Sequence, residues 1–368
     1  MTPQELRESI PALEDATYLN TGASGPSPRR VVVAAATALE RHEFQAPASG
    51  EMYDYGRQVF DSARAAVADH LATEPGNVAL THSTGDGLAR VAAAIDWNPG
   101  DVIVRTDQEH MANVLPWARL ERHEDVEVRV VETTGGRVDR DQFLDAVKDA
   151  RLVTFSSVCW TTGVRVAVSE LTAIAHEAGA RVLVDAVQSV GQHEVDVTDW
   201  GADAVVASGH KWLLGDWGSG FLCVDPEFAE TLHPAHLGYF GVEYPPTADY
   251  DLKPGAQRFE IGTRSLAPYA ALSEALATIE AVGYGTIESE IERLTNYLKS
   301  QVRSAELHSP ERFESGLVSF TVADPADTVE RLAAQDVHIK AVPGPDTIRV
   351  SLHAFNTTTD VDRLLSGL

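Results

Sequence analysis

The chain has 368 residues, 55 of them acidic and 29 basic, for a formal net charge of −26 at pH 7. The length suits a large and a smaller domain rather than one small core. The charge argues against nucleic acid as a partner, because gripping a phosphate backbone needs clustered cations. No stretch approaches the ~18 consecutive apolar residues of a membrane span, so no membrane partner is expected.

Two cysteines, Cys159 and Cys223, cannot build a disulfide framework, and the polar opening residues do not form a charged-then-apolar signal segment. A cytoplasmic location is therefore expected. The surplus of acid would cause self-repulsion in dilute buffer, which points to a salt-adapted, halophilic setting.

Residues 1–10 are polar with a helical pattern. An amphipathic helix is expected over 59–70, then a turn at Thr73-Glu74-Pro75-Gly76-Asn77 and a strand from Val78. Ser83-Thr84-Gly85-Asp86-Gly87 reads as a turn of small residues ahead of a helix over 88–95. Strands follow at 101–104 and 126–131, a helix at 143–148, a strand at 152–155, a helix at 171–178, and strands at 182–184 and 204–207. This alternation is the mark of βα units around a mostly parallel sheet.

Gly220-Phe221-Leu222-Cys223-Val224 reads as a further strand with Cys223 buried in it, and 237–254 as a loop rich in Tyr, Pro, Gly and Asp. Beyond Arg264 the pattern changes to helices at 268–282 and 287–298, a strand at 317–322, a helix at 328–335, a strand at 348–352 and a last helix from 359. We expect an α/β architecture with a large domain at 16–264 and a smaller α+β domain at 265–368 that includes residues 1–15.

Two strand ends concentrate the chemistry. Arg181-Val182-Leu183-Val184-Asp185 and Val205-Val206-Ala207-Ser208-Gly209-His210-Lys211 are apolar runs that end in polar residues. Buried parallel strands look like this, and open α/β sheets bind ligands at such ends. A lysine there can hold pyridoxal phosphate as a Schiff base, while a carboxylate keeps the pyridine nitrogen protonated. Around Ser83, Thr84 and Gly85, small residues and a helix N-terminus could cradle an anion, with Ser208 and His210 completing the cradle. His110, following the strand at 101–104, could stack on a heteroaromatic ring or move protons. His233 and His236 have the spacing of helical metal ligands, but no carboxylate or cysteine completes a set, and no metal is expected.

Together these segments resemble the class V aminotransferase family of fold type I pyridoxal phosphate enzymes, nearest its cysteine desulfurase and isopenicillin N epimerase-like branches. The resemblance runs nearly end to end. Tyr18-Leu19-Asn20-Thr21-Gly22-Ala23 is similar to the family's opening motif, which implies that Gly22 and Ala23 lie against substrate. Glu109-His110 with Asn113 resembles the segment whose histidine stacks on the cofactor. Asp185 and Gln188 resemble the pair contacting the pyridine nitrogen and the phenolic oxygen, and Ser157 the position of a cofactor-contacting polar residue. Ser208-Gly209-His210-Lys211 resembles the Schiff-base motif, with Ser208 and His210 on the phosphate. Thr263, in Arg258-Phe259-Glu260-Ile261-Gly262-Thr263, resembles the threonine that reaches the phosphate in a partner subunit, which implies a homodimer. Arg349, in Ile348-Arg349-Val350-Ser351-Leu352, resembles the arginine gripping the substrate carboxylate, a role its planar fork suits.

The departures bear on the reaction. Desulfurases carry a nucleophilic cysteine on a loop shortly before that arginine, whereas 337–347 here has none, and Lys340 stands where they have a second arginine. Cys159 is the remaining thiol candidate, on a different segment. The resemblance implies an enzyme that exchanges its lysine imine for an external aldimine with a small α-amino acid and takes the Cα proton. Catalysis would rest on Lys211, Asp185 and His110. The outcome is expected to be transamination or carbon–sulfur lysis. A desulfurase, selenocysteine lyase or epimerase outcome stays open, as does a non-catalytic cofactor-binding regulator.

Overall fold

The computed structural model describes residues 1–244, 249–302 and 305–368. Its centre is a seven-stranded sheet made of β1 (Val78–Thr81), β2 (Val102–Thr106), β3 (Glu127–Val131), β4 (Ala150–Ser156), β5 (Arg181–Asp185), β6 (Ala204–Ser208) and β7 (Gly220–Val224). The spatial order is β1-β7-β6-β5-β4-β2-β3, and only β7 runs antiparallel to its neighbours. Alternate residues leave opposite faces of each strand. Val104, Val153, Val184, Val205 and Phe221 enter one core, while Ile103, Leu152, Leu183, Val206 and Leu222 enter the other. Burial on both faces explains why these strands are unbroken apolar runs in the sequence.

Parallel pairing fixes which groups meet. Ser156 is opposite Asp185, and Asp185 is opposite Val206. The C-terminal ends of β4, β5 and β6 therefore share one edge, and Lys211 follows β6 directly. The antiparallel β7 begins at that edge, with Gly220 opposite both Ser208 and Thr81.

The helix expected at 88–95 begins earlier, spanning Thr84–Ala94. Ser83 is its N-cap, accepting the Asp86 N–H at 3.1 Å, so the small-residue turn is already the first helical turn. The helix expected at 59–70 likewise extends over Met52–His70. A helix over Arg29–Glu40 was not apparent in the sequence; it buries Val31 and Ala38 but exposes Val32, Val33 and Leu39. Of the expected loop 237–254, residues 245–248 lie outside the described residues.

A second, three-stranded antiparallel sheet places Thr347–Ser351 between Leu317–Thr321 and Lys340–Ala341. The N-terminal segment docks on this part of the molecule. Thr17–Tyr18 pairs in parallel with Val337–His338, and Asn20 bridges to Ser351. The chain then turns toward the large sheet, where the Gly25 N–H donates to the His210 carbonyl at 2.7 Å. A Cβ on Gly25 would lie 2.2 Å from the Lys211 carbonyl oxygen, so only glycine allows this approach.

Candidate active site

The strand edge, the N-terminal segment and the three-stranded sheet enclose one cavity. Gly22, Ala23, Ser83, Thr84, Gly85, His110, Asp185, Gln188, Ser208, His210, Lys211 and Arg349 all line it. Twelve of the fourteen residues singled out from the sequence therefore meet in one place, although they span positions 22 to 349.

Lys211 and Asp185 form the centre. Among the described residues, the Lys211 amine makes no hydrogen bond or ion pair. Burial brings its pKa down to about 8; Asp185 pulls it up, while Arg349 and Lys340 push it further down. Asp185 is 3% exposed. One of its oxygens accepts the Val187 N–H at 3.0 Å. Burial raises this carboxyl to about 6, against the lowering effects of the Val187 N–H and Lys211. A buried carboxylate with a single neutral donor lacks a cationic N–H partner, which is what a protonated pyridine nitrogen would supply.

One end of the cavity suits a phosphate. The first N–H groups of the Thr84–Ala94 helix have no intrahelical acceptor and carry the positive end of the helix dipole. The Thr84 hydroxyl donates to Ser208 Oγ at 3.2 Å, and Ser208 Oγ is 3.1 Å from His210 Nδ1. Burial, assisted by Lys211, lowers His210 to about 4, so its ring is neutral near pH 7. The donors and the buried carboxylate fit pyridoxal phosphate: the helix end with Thr84, Ser208 and His210 would hold its phosphate, and Asp185 would hold its ring nitrogen.

His110 is shifted below its usual pKa by burial first and then by Lys211, Arg349 and Lys340. Its Nδ1 accepts the Ala112 N–H at 3.2 Å, which leaves the proton of the neutral ring on Nε2. Its edge meets the Trp160 ring at a centroid distance of 5.2 Å. The preceding Glu109 is a buried structural tie. It accepts from the Asn113 amide at 2.8 Å, the Ser156 hydroxyl at 2.6 Å and the Ser156 N–H at 3.1 Å. These bonds fasten the His110 segment to the end of β4.

Gln188 binds two segments together. Its amide nitrogen donates to the Gly22 carbonyl at 3.0 Å, and its oxygen accepts from Trp212 Nε1 at 2.7 Å. At the other wall, Arg349 is 1% exposed. It donates to the Trp160 carbonyl at 2.7 Å and to Asn20 Oδ1 at 3.5 Å, and burial lowers it to about 10. A Cβ on Gly22 would lie 3.2 Å from the Arg349 guanidinium, so the glycine makes room for that group.

Two expected residues are elsewhere. Ser157 does not line the cavity; its hydroxyl donates to the Asp185 carbonyl at 3.2 Å and is 2.7 Å from Ser189 Oγ. The alternation of strand β4 turns Ser156 to the cavity instead. Thr263 lines a separate recess with His42, Tyr53 and Phe240. Trp160, Ser156, Ala112, Val187 and Lys340 also line the cavity, although sequence reading gave none of them a site role. Of these only Lys340 left a signal, by replacing an arginine of the resembled motif.

Neither cysteine lines the cavity. Cys159 Sγ is 3.1 Å from Thr161 Oγ1, and Cys223 is buried in β7 with its thiol pushed up to about 12. Among the described residues, no helix is long and apolar enough to cross a membrane.

The comparisons with known proteins agree with this geometry. The family profile described as aminotransferase class-V matches residues 17–364. A probable cysteine desulfurase from Methanothermobacter thermautotrophicus is 31% identical, covering 99% of this chain and 96% of that protein. A cysteine desulfurase from an Enterobacter species is 30% identical over 95% of this chain and 92% of that protein. Among solved structures, the apo cysteine desulfurase of Thermococcus onnurineus superposes with a TM-score of 0.91 at 26% identity, covering 100% of this chain and 97% of that one. A cystine C–S lyase complexed with its product cysteine persulfide gives a TM-score of 0.92 at 25% identity, covering 97% and 98%. The chain belongs to the class V aminotransferase family and is a pyridoxal phosphate-dependent enzyme.

Proposed function

We propose that the protein is a carbon–sulfur lyase that eliminates sulfur from a cystine- or cysteine-like amino acid without forming a persulfide on the enzyme. Bound at Lys211, pyridoxal phosphate supplies an electron sink for the substrate's Cα. Thr84, Gly85, Ser208 and His210 hold its phosphate in this reading, and Asp185 holds its ring nitrogen in the protonated form. Arg349 orients the substrate by its α-carboxylate. Once displaced by substrate, Lys211 has an amine basic enough to take the Cα proton yet partly neutral near pH 7, as a general base needs. In this reading His110, neutral and protonated at Nε2, packs on the ring and passes a proton to the departing sulfur.

The observation that carries this reading is the location of the two thiols. A persulfide relay needs a positioned thiolate, whereas Cys159 and Cys223 lie off the cavity. Sulfur is then expelled as part of the substrate's own side chain. The test is product identification with L-cystine and L-cysteine. Elimination yields pyruvate and ammonia alongside the sulfur product, while desulfuration yields alanine. Alanine as the main product, lost in Cys159→Ser, would overturn the proposal in favour of the desulfurase reading that the relatives' names support.

A homodimer belongs to the same reading. Thr263 lies in a recess apart from this chain's cavity, next to Tyr53. Tyr53, Phe44, Val32 and Val33 are exposed apolar side chains suited to a subunit contact. A fully active monomer would refute it. Two unpaired cysteines suit the reducing cytoplasm as the working compartment.

A further inference from the structure

We infer that the substrate carries a second acidic group in addition to its α-carboxylate, and that Lys340 binds it. This rests on the proposed reading of the cavity as an amino-acid site, and it names the class of amino acid. Lys340 and Arg349 are direct partners across two antiparallel strands, so their side chains leave the same face. Both line the cavity. Like charges directly opposite one another destabilise a sheet.

Among the described residues, neither cation has a carboxylate partner. Arg349 has, among these residues, only the Trp160 carbonyl and the Asn20 amide oxygen as acceptors, and its Nε has no partner. The Lys340 ammonium makes no hydrogen bond among the described residues, and no carboxylate comes within 4.0 Å of it. In a chain with 55 acidic and 29 basic residues, two adjacent cations without a carboxylate are a local reversal of the overall charge. Asp185 is the one acidic side chain among the described residues lining the cavity, and it belongs to the ring-nitrogen position.

One α-carboxylate satisfies the guanidinium fork of Arg349. The ammonium of Lys340 remains, and it needs no planar partner. It suits a carboxylate, sulfinate or sulfonate on the side chain, or the distal carboxylate of a disulfide-linked amino acid. Lys340 is exposed, so its contribution is that of a partly solvated charge and falls as salt screens it.

The test separates binding from turnover. Amino acids methylated at Cα have no proton to lose, and their association with the holoprotein can be read from the cofactor's absorbance. α-Methylaspartate, α-methylglutamate and neutral 2-aminoisobutyrate are titrated at low ionic strength. At least one acidic analogue should bind about tenfold more tightly than the neutral one, a preference of ~1.4 kcal/mol. Lys340→Ala should reduce that ratio to about threefold or less, Lys340→Arg should retain it, and Lys340→Glu should reverse it. If no acidic analogue is preferred by more than about threefold, or if the preference survives Lys340→Ala, the inference is overturned while the amino-acid reading stands. If none of the three analogues perturbs the absorbance, the amino-acid reading fails and the inference goes with it.

Discussion

Replacing Lys211 by Met in the cofactor-free protein should make it harder to unfold near pH 7. The amine has a pKa of about 8 in the folded chain against an ordinary 10.5, with burial as the leading cause. That gap corresponds to roughly 3 kcal/mol of folding free energy lost near pH 7. Methionine fills a similar volume without a charge to desolvate. Part of the gain is offset, because Asp185 loses its cationic neighbour. The net expectation is about 2 kcal/mol. The sign with pH follows from proton counting. Between about 8 and 10.5 the unfolded chain still binds the lysine proton that the folded chain has released, so the wild-type protein gains stability as pH rises through that window. The advantage of Met should therefore be full below about pH 8 and shrink toward pH 10.5. Urea unfolding of both apoproteins, followed by tryptophan fluorescence near pH 7 and near pH 10, measures the difference in midpoint. Equal midpoints near pH 7, or an advantage that does not change with pH, would refute the assignment of a charge-destabilised lysine.

Glu260→Gln should cost about 3–5 kcal/mol of stability in a thermal melt. Its carboxylate accepts from Arg64 at 2.9 Å, Arg264 at 2.6 Å and the Leu80 N–H at 3.0 Å, and both arginines would be left without it; an unchanged melting temperature would contradict this. Gly25→Ala should weaken cofactor retention, because the new Cβ meets the Lys211 carbonyl at 2.2 Å; wild-type affinity for pyridoxal phosphate would show that the contact is relieved without moving Lys211. With a net charge of −26, the melting temperature should climb as potassium chloride rises into the molar range, and a flat profile would exclude salt adaptation.

The cofactor end of the site was legible in the sequence because one local rule builds it. Parallel strands end in polar residues at a common edge, so Asp185, Ser208 and Lys211 could be placed from apolar runs that stop abruptly. Local signals failed where a partner distant in the chain decides the conformation. The Arg29–Glu40 helix carries apolar residues on its exposed side as well as its buried one, which blurs its period. Glu109 looked like a companion of His110, yet its partners include Ser156, forty-seven positions away on another strand. Ser157 and Ser156 could not be separated without the pleat of β4, because a one-residue difference changes the face.

The end of the cavity proposed for substrate is assembled differently, and this explains why the reaction was harder to read than the cofactor. Arg349 and Lys340 come from the three-stranded sheet, Gly22 and Ala23 from the N-terminal segment, and Trp160 from the chain beyond β4. Gln188 fastens two of these parts by bonding both Gly22 and Trp212. A residue at that end can therefore change without breaking the strand pairing that sets the edge, although the charges of Arg349 and Lys340 still act on the Lys211 amine. Lys340 illustrates this: it is exposed, and among the described residues its amine makes no hydrogen bond or ion pair, so packing within the chain does not fix its identity. On the proposed reading, the cofactor's chemistry rests on one sheet edge, whereas substrate choice rests where three separate segments converge.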